Sequence, residues 1–178
     1  MTSVGSQHCT PANQGNVLIT ERLTLRELPY EEVVTILDGR TVSGVQWAEG
    51  YPFEGTIGGA KLVRRMVEAD TYRAGFGLYQ VVLQDTNLVV GDIGFHSAPD
   101  ENGSAEIGYG LVEAYRGQGI ATEALRALVT WTLQQEDVNE VRAETDKGHL
   151  PSQRVLTKSG FASDGSGAEC DRFVLRCG

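Results

Sequence analysis

AEIGYGLVEAYRGQGIATEAL, Ala105 to Leu125, carries the reading from which the rest of the chain follows. Ala105 to Val112 has the pattern of an extended strand, Glu113 to Tyr115 turn the chain, and Arg116 to Ala121 form a glycine-rich loop. A helix follows from Ile120 to about Gln135, with Ala121, Ala124, Leu125 and Leu128 on one face. Gly117 and Gly119 leave backbone N–H groups unshielded by side chains. The helix adds its own unpaired N-terminal donors and the positive end of its dipole. Together these groups form a cradle for phosphate. A loop of the GxxxxGKS or GxxxxGKT kind needs a Lys and a hydroxyl after the second Gly, and neither is present. A dinucleotide fingerprint needs a third Gly where Thr122 stands, and it follows the first strand of a βαβ unit, whereas two hairpins precede this loop.

Upstream, Phe76–Leu83 and Leu88–Phe95 are β-rich runs joined by QDTN, a hairpin signal. Residues 97–103, with Pro99 and the pair Asn102, Gly103, turn the chain into the strand at Ala105, so these strands form an antiparallel meander. Ala60 to Asp70 is an amphipathic helix with Leu62, Val63, Met66 and Val67 on its apolar side. The segment Gly39–Gly59, GRTVSGVQWAEGYPFEGTIGG, has glycine, proline and aromatic residues without period and reads as a long loop. Its Trp47, Tyr51 and Phe53 either line a ligand pocket or cover the core. Val17 to Glu27 reads as a first strand, and Pro29 opens a helix to about Leu37. Downstream, Asn139 to Thr145 alternates as a strand reached by a crossover and therefore parallel to the one at Ala105. Pro151 opens a last helix that Gly160 ends, and Arg172–Arg176 is a final strand.

The chain of 178 residues suits one domain over residues 17–178, preceded by a polar tail, residues 1–16, without the apolar core of a signal peptide. No run approaches the length of a membrane span. The net charge of −9 disfavours a nucleic-acid or anionic-membrane partner and is compatible with a cationic one. Cys9, Cys170 and Cys177 lack metal-ligand spacing; Cys170 and Cys177 either pair or, as expected in a reducing cytoplasm, stay free.

Arg116, Gly119 and Ala121 fit R-x-x-G-x-A, and this loop resembles the acyl-CoA-binding motif of the GNAT N-acetyltransferase superfamily. TERLTLRE (Thr20 to Glu27), EIGY, RGQGIATEAL and SQRVLTKSGF occur in the order seen in the branch of bacterial ribosomal-protein alanine and serine N-acetyltransferases. The resemblance implies an α/β (α+β) fold with a mixed, mostly antiparallel central sheet flanked by helices. It also implies an enzyme, a monomer or homodimer, that moves acetyl from acetyl-CoA to a primary amine. The loop amides of Arg116, Gly117, Gln118, Gly119, Ile120, Ala121 and Thr122 are then expected to hold the coenzyme pyrophosphate. A backbone N–H near Leu111 or Val112 is expected to meet the thioester oxygen, and the acyl chain to lie where the strand at Ala105 splays from the next.

Amide formation from a thioester requires that the amine lose a proton, since an alkylammonium with pKa near ~10 predominates at pH 7. Glu106, matching the Glu of EIGY, is the candidate base, helped if burial raises its pKa; the alternative is an ion-paired strand Glu. Tyr109, on the opposite face of a regular strand, ranks second. By resemblance Ser152 assists the departing sulfur, and its alternative is helix capping. His149 stands where relatives carry an Asn that contacts the pantetheine arm. Leu156 replaces the Tyr that other branches use as general acid. His96 is read as structural rather than as a base. No Cys is near the motif, so direct attack is expected, and no metal is called for. The acceptor reads as a cationic or polar small amine whose flat or apolar part packs on Trp47, Tyr51 and Phe53, near Glu106. A protein N-terminus is the alternative, and a non-catalytic acyl-CoA sensor is the rival from another class.

Overall fold

The computed structural model describes residues 15–42 and 44–176. Most of the expected tail, with Cys9 and Cys177, lies outside them. Asn16 is held in place: its N–H donates to Glu27 Oε2 at 2.9 Å and its Nδ2 to the Tyr79 hydroxyl at 3.2 Å.

The expected first strand is a hairpin, β1 (Val17–Ile19) against β2 (Leu23–Glu27). Thr20 makes the turn, because its Oγ1 accepts the Leu23 N–H at 2.9 Å and its own N–H bonds the Leu23 carbonyl. Such local side-chain bonding competes with a continuous strand. Helix α1 (Tyr30–Leu37) follows Pro29 as expected. The loop after it contains β3 (Gln46–Trp47), and α2 spans Glu54–Glu68, several residues earlier than the sequence reading placed it. Gly55, Gly58 and Gly59 suggest a break, yet Gly59 lies inside α2. A Cβ there would stand 3.0 Å from Leu78 Cδ1, so the glycine lets the helix come down onto the sheet.

Strands β4 (Leu78–Leu83), β5 (Leu88–Phe95) and β6 (Ser104–Leu111) form the meander. A short 3-10 turn at Glu113–Tyr115 leads to the loop and α3 (Ile120–Thr132). Strand β7 (Glu140–Asp146), α4 (Leu150–Lys158), β8 (Ala162–Ser166) and β9 (Cys170–Arg176) complete the chain. Strand β8 (ASDGS), exposed throughout and without a large apolar residue, has no hydrophobic signature by which to find it. The sheet order is β1-β2-β4-β5-β6-β7-β9-β8, with β3 beside β5. Among the described residues only β6·β7 and β3·β5 are parallel, so the sheet is mixed and mostly antiparallel. One apolar cluster joins β4, β5, β6 and β7 to α3, with Ile93, Ile107, Leu125 and Leu128 buried. A second seats α1 and α2 on the other face through Val33, Ile36, Val63 and Met66. Among the described residues no helix is long and apolar enough to cross a membrane.

Candidate active site

The site begins with an interrupted strand pairing. β6 and β7 are in register only from Ser104↔Glu140 to Glu106↔Arg142; beyond that β7 continues with β9 while β6 continues with β5. On β6 the amides of even-numbered residues belong to the β5 ladder, since His96 N–H bonds the Glu106 carbonyl and Val112 N–H bonds the Val90 carbonyl. Antiparallel alternation therefore turns the N–H groups of Tyr109 and Leu111 toward the opening. Val112, one of the two residues expected to offer a free amide, has spent it on Val90. Arg116 Nε donates to the Leu111 carbonyl at 3.0 Å, tying the loop to the strand.

A cavity of ≈ 520 Å³ fills the space between this edge, the loop and α4. Leu111, Arg116, Gly117, Gly119, Ile120, Ala121 and Thr122 line it, as do His149 and Ser152 from the α4 side. Gly117 and Gly119 have φ of 74° and 79°, conformations that side chains disfavour, and Gly119 caps α3. The first bond onto the helix is Glu123 N–H to the Gly119 carbonyl, which leaves the amides of Gly117 to Thr122 for a ligand; the Arg116 amide, expected among them, is instead bonded to the Glu113 carbonyl at 3.1 Å, closing the 3-10 turn. Gln118 is on the outer side of the loop and does not line the cavity. Arg154 and Lys158, one turn apart on α4, also reach its wall. The sequence reading passed over them, although their i, i+4 spacing on the helix facing a phosphate loop was the available signal.

Ser152 is not a helix cap. The α4 N-terminus has no side-chain cap, and Ser152 Oγ lies 2.8 Å from Tyr109 Oη, with the phenol also 3.2 Å from the Ser152 carbonyl. Tyr109 is on the face opposite Glu106, as the strand period requires. Burial pushes its phenol above the ordinary value of 10.0, so it stays protonated. Leu156 is wholly buried in the core.

Glu106, at the head of the opening, is hydrogen-bonded to His96, whose Nδ1 is 2.8 Å from its Oε1, a contact that becomes an ion pair when the imidazole is protonated. The hydrogen bond from His96 holds the carboxyl below 4.5, opposite in direction to the rise that would favour a lone carboxylate base, and Glu106 in turn raises His96 above 6.5. His96 Nε2 extends over Gly108, where a Cβ would stand 3.1 Å away.

The aromatic residues occupy the α2 side of the sheet and do not line the cavity. Tyr51 is buried, edge-on to Trp47 at 5.4 Å and to Phe53 at 6.0 Å between ring centroids. Phe53 lies over Gly110 of β6, where a Cβ would be 2.6 Å from its Cε2. Beneath these rings a polar row crosses the sheet through the register Arg26↔Gln80↔Asp92↔Gly110. Arg26 donates to Gln80 at 2.5 Å, Gln80 to the Tyr51 hydroxyl at 3.5 Å, and Thr56 to Asp92. Burial pushes Asp92 up to about 7. An acid inside LVVGDIGF was its sequence signal. No group of metal-binding side chains occurs among the described residues.

An amide-lined loop at a helix start, beside a strand whose partner has splayed away, is an arrangement able to receive an anionic ligand along β6. The acetyltransferase (GNAT) domain family matches residues 22–162, and the chain belongs to that family of acetyltransferases. YjdG of Bacillus subtilis (strain 168), an uncharacterized N-acetyltransferase, is 28% identical over 162 residues, 89% of this chain and 96% of that protein. RimL, the ribosomal L7/L12 alpha-N-protein acetyltransferase solved with coenzyme A, has a TM-score of 0.66 at 18% identity over 90% of this chain and 98% of its own. The microcin C7 self immunity acetyltransferase MccE, solved with acetyl-CoA and AMP, has a TM-score of 0.62 at 11% identity over 89% and 94%. These two likenesses are of fold.

Proposed function

We propose that the protein transfers acetyl from acetyl-CoA directly to a primary amine, with the cavity between β6, the loop and α4 as the coenzyme site. The observation that carries this reading is the convergence of three features on one cavity: the unpaired amides of Gly119 to Thr122, the gap-facing amides of Tyr109 and Leu111, and the Tyr109–Ser152 pair. The thioester supplies the acyl carbon that the amine attacks; the C–N bond forms as the C–S bond breaks. The Tyr109 and Leu111 amides are the donors that the strand offers to the carbonyl oxygen as charge builds on it. The amine proton goes to the His96–Glu106 pair, with Glu106 orienting the ring through Nδ1 and Nε2 accepting. A carboxylate held below its ordinary value is a weak base by itself, which is why the pair rather than Glu106 alone takes this role. The departing sulfur is protonated from the Tyr109–Ser152 pair.

For the acceptor we favour a small cationic amine, drawn by the net charge of −9 and by the carboxylate of Glu106 on the strand face shared with Phe53. The burial of Tyr51 reduces the apolar contact available to such an amine to Phe53 and the exposed part of Trp47. A protein N-terminus is the second reading, favoured by the ribosomal acceptor named for RimL. The protein would act in the cytoplasm in either case. The test follows free-thiol release from acetyl-CoA with small amines and with basic N-terminal peptides. Turnover of peptides alone, unchanged in Phe53→Ala, would exclude the small-amine reading; tight acetyl-CoA binding without thiol release for any amine would favour a sensor.

A further inference from the structure

The motif Thr20 to Glu27 takes no part in the chemistry above, yet its first half is bonded to the phosphate loop. The Glu123 carboxylate, in the first turn of α3, is gripped by the β1–β2 turn: Oε1 accepts from Thr20 Oγ1 at 2.6 Å and from the Arg22 backbone N–H at 2.9 Å, and Oε2 from Arg22 Nε at 2.6 Å. The same guanidinium reaches past the carboxylate. Arg22 Nη1 donates to the Gln118 carbonyl at 3.1 Å, and Nη2 lies 3.4 Å from where a Gly119 Cβ would be. One arginine thus holds both the helix start and the loop peptide between Gln118 and Gly119.

That peptide has little steric constraint of its own. Gly119 has no Cβ and sits at φ 79°, with Gly117 at φ 74° two residues before it, so rotation of the intervening peptides meets little steric resistance. A planar trans peptide points its C=O and N–H in opposite directions. Anchoring the Gln118 carbonyl on Arg22 therefore turns the Gly119 N–H away from the guanidinium. Arg22 lines the groove outside the loop, beside β1, and not the cavity on its inner side. Charge makes a second demand on the same residue. A carboxylate in the first turn suits the helix dipole but opposes any phosphate arriving at that end, and Arg22 neutralises it there.

We propose that Arg22 is a positioning residue for coenzyme binding, which locks the Gln118–Gly119 peptide with its N–H facing the cavity and cancels Glu123 at the anion-binding end of α3. This rests on the loop being the phosphate cradle. The N-terminal hairpin is then part of the coenzyme site although it touches no coenzyme atom. A point charge cannot replace the fork, since Lys has no geometry by which to hold Glu123 and the Gln118 carbonyl together.

The test is calorimetric titration of coenzyme A into the wild type, Arg22→Gln and Arg22→Lys, with thermal unfolding of each unliganded protein. Arg22→Gln is expected to bind about tenfold more weakly, and Arg22→Lys to stay within about threefold of that loss. Amide resonances of Gly117 and Gly119 in the unliganded Arg22→Gln protein are expected to broaden or shift, because the peptide is released. Wild-type affinity in Arg22→Gln would overturn the proposal, as would a lowered Tm with unchanged affinity, the signature of a merely structural contact. Full recovery in Arg22→Lys would also overturn it, by reducing the role to net charge. If the wild type itself failed to bind coenzyme A, the loop assignment would fall instead.

Discussion

The hydroxyl oxygens of Tyr109 and Ser152 stand 2.8 Å apart, joining β6 to α4 across the cavity. Residues 43 positions apart in sequence thus form one donor pair. If they act as a relay to the departing sulfur, Tyr109→Phe and Ser152→Ala each lower kcat about tenfold to a hundredfold, and the double variant is scarcely slower than the worse single one. Steady-state rates at saturating acetyl-CoA for the four proteins test this; additive losses would mean separate roles. Because burial raises the phenol above 10.0, the wild-type rate is not expected to fall through loss of this proton below pH 10.

The His96–Glu106 pair predicts the acid side of the pH profile. A free imidazole is needed to accept a proton, and Glu106 holds His96 above 6.5, so kcat/KM rises with pH through a limb placed above 6.5. Glu106→Gln removes the partner, and the limb moves to lower pH while the plateau drops about tenfold or more as the ring loses its orientation. For stability the signs differ between partners. The raised His96 contributes fully below 6.5 and loses its contribution as pH rises through its folded value; the lowered Glu106 contributes above 4.5 and loses it as pH falls through its own. The destabilisation in His96→Gln is thus greatest between these limits, and unfolding midpoints across the pH range measure it.

Gly119→Val separates folding from coenzyme binding. A branched side chain at φ 79° is strained by ~1–2 kcal/mol, and its Cβ would stand 3.4 Å from Arg22 Nη2, so it disturbs the loop backbone together with the arginine that anchors it. The expected result is a folded protein that binds coenzyme A at least about tenfold more weakly by calorimetry. Equal affinity would remove the loop from the coenzyme site.

Asp92 provides a stability test independent of activity. Burial raises its folded value to about 7 from 3.8, so folding is opposed by ionisation and the protein loses stability as pH rises between those values. Asp92→Asn keeps an acceptor for the Thr56 hydroxyl and removes that opposition. Its Tm should exceed the wild-type value at pH 8 and differ little at pH 5; the same difference at both pH values would show that Asp92 is held ionised throughout.

Sequence alone determined the parts whose signal is local. The R-x-x-G-x-A loop, the period of β6 that opposes Tyr109 to Glu106, the β4–β5 hairpin and the Pro-started α4 are set by the spacing of neighbours and by the backbone freedom of Gly and Pro. The tertiary structure decided what depends on which edges and faces meet. His96 and Glu106 pair because β5 and β6 are antiparallel in that register. Ser152 turns to Tyr109 instead of capping α4, Tyr51 is buried although its segment reads as loop, and α2 runs through glycines because Gly59 lets it approach Leu78. The opening between β6 and β7, on which the site depends, has no local code, since it arises where β7 leaves β6 and continues beside β9. A strand's own residues determine its period; the partner on each edge is determined by the packing of the whole sheet.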